Sequence, residues 1–369
     1  TRLVPEKKVL YRFSARGHDL AQVLLGLQLD DPKDALCGYY RSRPILLALE
    51  VDPTEALTSA MGRGGANSNN GQLGVVFNYP NKNGPSALPM CGGVGAQYTP
   101  TAGWAQAIRY YENTLKDPAY ARAISVVLGG DGSVASNGFW AALTAATTQK
   151  LPMLFYIEDN GFGISVPSTF QTPGGNIAAN LASWSGLKIF SGDGTDPAET
   201  AALTAQAVAY VRARKGAAML RLTVPRLQGH SLQDTQTYKS AALVQAERDC
   251  DPLPRLHDFL VPAVLDETAW QAAQVRVSAR ADAARKTAEA TPASHPENVL
   301  EHVFSQVGQL QTIGGQHTHG YVAPSGSDVP QPDGPRMNMV TAIRRTLDQE
   351  MALNDRVVLF GEDIGPKGG

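Results

Sequence analysis

The chain has 369 residues, 43% hydrophobic and 18% charged, which is enough apolar material for a sizeable core and excludes a disordered chain or a disulfide-stapled miniprotein. Lys plus Arg (32) nearly balances Asp plus Glu (34), so the net charge of −2 carries no electrostatic footprint for nucleic acid, and apolar runs such as residues 45–49 fall far short of the ~18 a membrane-spanning helix needs. Cys37, Cys91 and Cys250 fit neither a zinc site nor a disulfide framework, so a reducing cytoplasm is the default compartment.

At roughly 150 residues per domain the length suggests two to three domains. Residues 61–95 are rich in Gly and Asn and read as a long loop or insertion. From there the pattern is α/β. Residues 123–128 read as a buried strand that ends at Gly129-Gly130-Asp131-Gly132. Residues 137–149 read as a helix and 151–157 as a second strand. Strand, helix and strand in this order form a βαβ unit, which implies a mostly parallel, doubly wound sheet with helices on both faces.

Residues 187–190 predict a further strand. Asp196 is placed to cap the helix that follows, with Pro197 at its first position, running to about residue 213. Residues 217–224 predict another strand, and 255–288 a charged, Ala-rich helix. Residues 312–335, rich in Gly, Pro, Ser and Asp, read as a linker. After it come an amphipathic helix over 339–351 and a strand over 357–360. The organisation expected is an α/β domain over 1–311, the linker, and the opening of a second α/β domain over 336–369. A start at Thr1 and a stop at Gly369, close behind a strand, suggest a piece of a longer polypeptide.

Ligands of an open parallel sheet bind beyond the carboxyl ends of its strands. Two predicted strand ends carry suggestive residues: Gly130-Asp131-Gly132-Ser133, and Glu158-Asp159-Asn160-Gly161-Phe162-Gly163. Glycines let backbone approach a bulky anion, and a following helix N-terminus favours phosphate. A carboxylate, an amide oxygen and phosphate oxygens suit a hard cation such as Mg²⁺, which Asp131 and Asn160 would share if their strands are neighbours. Each motif alone is equally what a turn requires. The combination is more specific: Gly-Asp-Gly, 26 residues, then Asp159-Asn160, with a helix between.

With that spacing the chain resembles the thiamine-diphosphate-dependent 2-oxoacid dehydrogenases, the decarboxylating first component of the multienzyme complexes. Their fingerprint is Gly-Asp-Gly followed by Asn-Asn. In this chain the first Asn is Asp159, and the second, at the metal-ligand position, is Asn160. Gly38-Tyr39-Tyr40-Arg41 is similar to the family's Tyr-Arg pair, so Tyr40 and Arg41 are implied to hold the diphosphate. Gly92-Gly93-Val94-Gly95 is similar to the segment under the cofactor, with Gly92 backbone on the aminopyrimidine and Val94 as the apolar wedge. Gly130, Gly132, Ser133 and Ile164 are implied cofactor contacts. Asp131, Asn160 and the Phe162 carbonyl are the implied Mg²⁺ ligands.

Arg226-Leu227-Gln228-Gly229-His230-Ser231, with Asp234 and Tyr238, resembles the family's active-site loop. His230 would lie against the cofactor and substrate. His18 resembles an amino-terminal, substrate-contacting position, although the residues alone fit a capping or core histidine as well. The other histidines, at 257, 295, 302, 317 and 319, read as structural or solvated.

The resemblance implies oxidative decarboxylation of a 2-oxoacid, branched-chain such as 3-methyl-2-oxobutanoate, with acyl transfer to a lipoyl-bearing acyltransferase. Thiamine diphosphate would act as electron sink, and a cytoplasmic dimer of αβ units would carry the site. Residues 337–369 resemble the start of the β subunit, here fused to the α part, with Glu362 at the pocket edge. The activating glutamate of the β half would lie beyond Gly369, so this chain alone would be inactive. A pyruvate or acetoin dehydrogenase-type thiamine enzyme, and a non-catalytic assembly subunit, remain the alternatives.

Overall fold

In the computed structural model of the chain, described for residues 3–9, 11–64, 76–81, 83–297, 334–361 and 364, the elements divide between two compact units, Thr1–Asn298 and Val299–Gly369. The first unit opens with α1 (Asp19–Gly26), β1 (Ala35–Cys37), α2 (Arg43–Ala48), α3 (Pro53–Ala60), β2 (Ser86–Ala87) and α4 (Tyr98–Asn113). Next come β3 (Ser125–Gly130), α5 (Asn137–Thr148), β4 (Met153–Asp159) and a small antiparallel pair, β5 (Phe162–Gly163) and β6 (Val166–Pro167). It continues through α6 (Ile177–Asn180), β7 (Leu187–Asp193), α7 (Pro197–Arg212), β8 (Ala217–Thr223), α8 (Ala241–Asp249), α9 (Pro252–Leu260) and α10 (Glu267–Ala290).

Six strands form one sheet in the order β2-β1-β3-β4-β8-β7, and every neighbouring pair is parallel. The doubly wound α/β architecture read from the sequence is therefore the one observed. The central strand β4 is buried along its whole length, which explains its unbroken Met-Leu-Phe-Tyr-Ile run. Alternate residues feed two cores. Val126, Leu128, Leu154, Tyr156 and Leu220 pack with Leu25, Ile45 and Val208 on one face. Val127, Phe155, Ile157 and Met219 pack with Tyr98, Phe139 and Leu143 on the other. Each such side chain contributes about 1.5–3 kcal/mol by leaving water.

Local signals end the helices where the sequence indicates. Ser136 accepts from Phe139 N to cap α5, and Asp196 accepts from Glu199 N to cap α7. The single helix expected over 255–288 is corrected to two, α9 and α10. Pro262 lacks an amide proton to continue α9, and Asp266 accepts from Ala269 N to start α10 afresh. The loop expected over 61–95 contains the edge strand β2, whose two residues are too few to leave a periodic pattern.

In the second unit, α11 (Met339–Leu353) begins at Asn338, whose side chain accepts from Thr341 N. The strand expected over 357–360 is not formed; among the described residues no ladder partner lies beside it. Most of the expected linker, Glu362 and residues 365–369 lie outside the described residues.

Candidate functional site

Because β3 and β4 are parallel neighbours, with Gly130 paired to Glu158, their carboxyl ends deliver Asp131 and Asn160 side by side. The Asn160 amide N–H donates to Asp131 Oδ1 at 3.3 Å. Asp131 is 4% exposed, and its Oδ2 is buried with no hydrogen-bond partner. Burial, then the neighbouring Asp159 carboxylate, pushes the Asp131 carboxyl up to about 7. A buried carboxylate oxygen without a donor costs free energy, and a bound cation would offset that cost.

Around this pair lies a cleft of about 210 Å³. Of the residues singled out from the sequence, Tyr40, Arg41, Val94, Gly130, Gly132, Ser133, Phe162, Ile164 and His230 line it with Asp131 and Asn160. Gly132 is part of the cradle: a Cβ there would stand 3.1 Å from Gln171 Oε1 and 3.2 Å from Gly163 Cα. Gly92 does not line the cleft, whereas its neighbour Gly93 does. The segment turns into α4 at Gly95, where φ is +86° and an added Cβ would collide with the Ser136 side chain, so no side chain fits.

The opposite wall is cationic. Arg41, 2% exposed, donates to the carbonyls of Ser14 and of His230, the latter at 3.2 Å. Arg226, 1% exposed, donates to the Ile164 carbonyl at 2.8 Å and to the Tyr238 hydroxyl, while its buried Nε is unpartnered. Its guanidinium lies 5.5 Å from the Phe162 ring centroid. Ile164 is β-branched with φ +55°, a strained turn that this hydrogen bond helps to hold.

The His230 loop is tied down at Asp234. That carboxylate accepts from His230 N at 2.6 Å, Tyr238 OH at 2.6 Å and Gln236 N at 2.8 Å. The His230 ring packs edge-on against Phe13 (5.3 Å) and Tyr40 (5.6 Å). Burial, with Arg41 and Arg226 nearby, lowers its pKa to about 4, so the imidazole is neutral at pH 7.

His18 is elsewhere. Its ring, for which a substrate contact was expected, is fully buried and is not among the residues that line the cleft. It stands behind Asn160, with Nε2 3.4 Å from Asn160 Nδ2 and Nδ1 3.3 Å from Glu158 Oε1. Asp159, the departure from the Asn-Asn pattern, is neutralised by Arg221 of β8, whose guanidinium lies 2.6 Å from its carboxylate.

Tyr39, Cys91, Gly93, Gln97, Gly163, Gln171 and Arg226 also line the cleft and were not singled out as contacts. Arg226 had a signal, since it opens the loop that carries His230. Gln171 had none. Among the described residues no group of three or more His, Cys, Asp or Glu side chains could hold a metal. A cation here would complete its shell with amide, carbonyl and ligand oxygens, which is the donor set of Asp131, Asn160 and the Phe162 carbonyl. No helix among the described residues is long and apolar enough to cross a membrane.

The family described as "Dehydrogenase E1 component" matches residues 3–297. The chain is 26% identical over 301 residues to the 2-oxoisovalerate dehydrogenase subunit alpha of Bacillus subtilis, covering 81% of this chain and 88% of the relative. It is 28% identical over 253 residues to the pyruvate dehydrogenase E1 component subunit alpha of Zymomonas mobilis, covering 68% of each. It is 29% identical over 187 residues to the 3-methyl-2-oxobutanoate dehydrogenase subunit alpha of Mycobacterium tuberculosis, covering 50% of each. The chain belongs to the dehydrogenase E1 component family, the thiamine-dependent 2-oxoacid dehydrogenases.

Proposed function

We propose that this member of the dehydrogenase E1 component family carries out the oxidative decarboxylation of a branched-chain 2-oxoacid, 3-methyl-2-oxobutanoate, with thiamine diphosphate and Mg²⁺ in the cleft. The observation that carries the reading is the buried, unpartnered Asp131 Oδ2 beside Asn160 at adjacent strand ends. Relatives named for branched-chain substrates support the substrate, and relatives named for pyruvate keep that acid as the second reading.

In this reading Asp131, the Asn160 side-chain oxygen and the Phe162 carbonyl hold Mg²⁺. Tyr40, Arg41 and Arg226 face the diphosphate, and Gly130, Gly132 and Ser133 let it approach the backbone. Val94 and Ile164 flank the cofactor rings, with Gly93 backbone, rather than that of Gly92, beside them. When bound, thiamine diphosphate supplies the electron sink for loss of CO₂. The neutral imidazole of His230, held by Asp234 at its backbone and by Phe13 and Tyr40 at its ring, orients the substrate carboxylate and accepts or returns a proton during acyl transfer.

The acyl group passes to a lipoyl-bearing acyltransferase. Residues 336–369 open a β-type domain fused to the α part, and the working form is a dimer of αβ units in the cytoplasm.

The test is calorimetric titration of the full chain with thiamine diphosphate and Mg²⁺, beside Asp131→Ala. Binding that the substitution abolishes supports the reading. No binding by the unaltered chain overturns it in favour of a non-catalytic assembly subunit. Turnover of 3-methyl-2-oxobutanoate against pyruvate then decides the substrate.

A further inference from the structure

A second cavity, of about 230 Å³, adjoins the His230 loop. Its polar lining is Arg12, Ser14, Gln228, Ser231, Asp234 and Gln236, and no residue lines both it and the cleft. A water takes up about 30 Å³ in the liquid, so there is room for a small hydrated ion.

Two groups in this lining are left wanting. Among the described residues the Arg12 guanidinium has no carboxylate, and the one hydrogen bond it makes is to Gln228 Oε1 at 3.3 Å. A second cation stands near it. Arg43, over the Phe77 ring at 5.5 Å, has its pKa lowered by burial and then by the Arg12 charge. Gln236 Oε1 is buried without a hydrogen-bond partner. Asp234, by contrast, is engaged: it accepts from His230 N, Tyr238 OH and Gln236 N.

These demands describe a ligand. Arg12 suits an oxyanion, which a guanidinium fork binds through two N–H groups. Gln236 Oε1 needs a donor, because an unmatched buried acceptor costs free energy. The Asp234 charge disfavours a second negative charge on the ligand. Dihydrogenphosphate meets all three: it is singly charged and carries both acceptor oxygens and O–H groups.

We propose that this cavity binds inorganic phosphate as its monoanion, between Arg12 and Gln236, and that the bound ion braces the His230 loop. The bracing follows from what the lining already holds. Leu232 N donates to the Arg12 carbonyl at 3.1 Å. Arg41 donates to the carbonyls of Ser14 and His230, and Asp234 holds His230 N. An ion between Arg12 and Gln236 ties the chain around residues 12–14 to the loop once more, so the loop opens less often.

The test uses the full chain at mildly acidic pH, where the monoanion predominates, with thiamine diphosphate and Mg²⁺ present to occupy the cleft. Calorimetric titration compares phosphate with sulfate, which carries two charges and no O–H. Hydrogen exchange follows the amides of residues 228–236. Saturable phosphate binding is expected, about tenfold weaker in Arg12→Gln and in Gln236→Leu, and about tenfold weaker for sulfate. Exchange of the His230 and Leu232 amides should slow about tenfold at saturating phosphate.

No saturable phosphate binding by the unaltered chain overturns the proposal. So does binding that either substitution leaves untouched, sulfate binding as tight as phosphate, or amide exchange that phosphate does not slow. The sulfate comparison and the exchange need no variant, so they decide even if a substituted chain does not fold. Failure of thiamine diphosphate to bind overturns the function proposed above, whereas phosphate binding that is lost in Arg12→Gln still supports this site.

Discussion

At the amino-terminal edge of the sheet, Asp34 precedes β1 and is fully buried, as Asp131 nearly is at the carboxyl-terminal edge. Asp34 accepts from Ile124 N at 2.8 Å, Asp31 N at 3.2 Å, and both terminal nitrogens of Arg212 at 3.0 and 2.6 Å. Arg212 in turn donates to the carbonyls of Arg122 and Gln28. Asp131 receives one backbone donor and keeps Oδ2 bare. Burial raises the pKa of both carboxyls. The two differ in closure. A buried charge whose partners are all present holds a fold together, whereas one with a bare oxygen is arranged for a ligand.

The largest effect should come from breaking the closed end. Asp34→Ala leaves Arg212 with only the exposed Asp30 carboxylate at 2.9 Å and strips the acceptor from the Ile124 and Asp31 amides, and urea unfolding should show a loss of about 3 kcal/mol. The Mg²⁺ affinity of the remaining folded protein should not move. A variant that kept its stability but lost metal binding would invert the comparison.

At the open end the pattern reverses. Asp131→Asn removes an uncompensated carboxylate, so stability without Mg²⁺ should hold or rise. Mg²⁺ affinity should fall about 100-fold, equivalent to about 2.7 kcal/mol. A large loss of stability in metal-free buffer would show that Asp131 is as structural as Asp34.

His230 sharpens the contrast through pH. Its folded pKa of about 4 lies below the ordinary 6.5, so the native state binds fewer protons than the unfolded chain in that window. Stability therefore rises with pH from 4 to 6.5 and is lost as pH falls through the same range. His230→Gln should flatten that part of the urea-midpoint profile between about pH 4.5 and about pH 7. An unchanged slope would place the ring in water rather than among Arg41, Phe13 and Tyr40.

The sheet and half of the site were legible because their signals are local. Apolar runs ending in Gly-Asp-Gly or Asp-Asn mark β3 and β4, and Asp196-Pro197 marks the start of α7. Asp131 and Asn160 follow from those strand ends. What escaped depends on chain brought from far away. Nothing near His18 announces Glu158, and nothing near Tyr39 announces that its hydroxyl turns inward to the same carboxylate. Gln171 reaches the cleft only because the β5–β6 turn carries the chain back over Gly163. Two signals were present. Pro262 forbids one helix across 255–288, and Arg221 in the apolar strand β8 requires an acid on a neighbouring strand, which Asp159 supplies.

Ser136 tests how far the open end depends on its local frame. Its hydroxyl donates to the Ser133 carbonyl at 2.7 Å and caps α5 by accepting from Phe139 N at 3.4 Å. It also abuts Gly95, so it joins the turn after Asp131 to the segment carrying Val94. Ser136→Ala should cost about 1 kcal/mol, the usual worth of such a cap. Asp131 and Asn160 are held by the register of β3 and β4 and by the groups behind them, not by this cap, so Mg²⁺ affinity should shift by less than about twofold. A small stability loss accompanied by a tenfold loss of Mg²⁺ affinity would mean that the helix start, rather than the register of β3 and β4, sets the precision of the cation site.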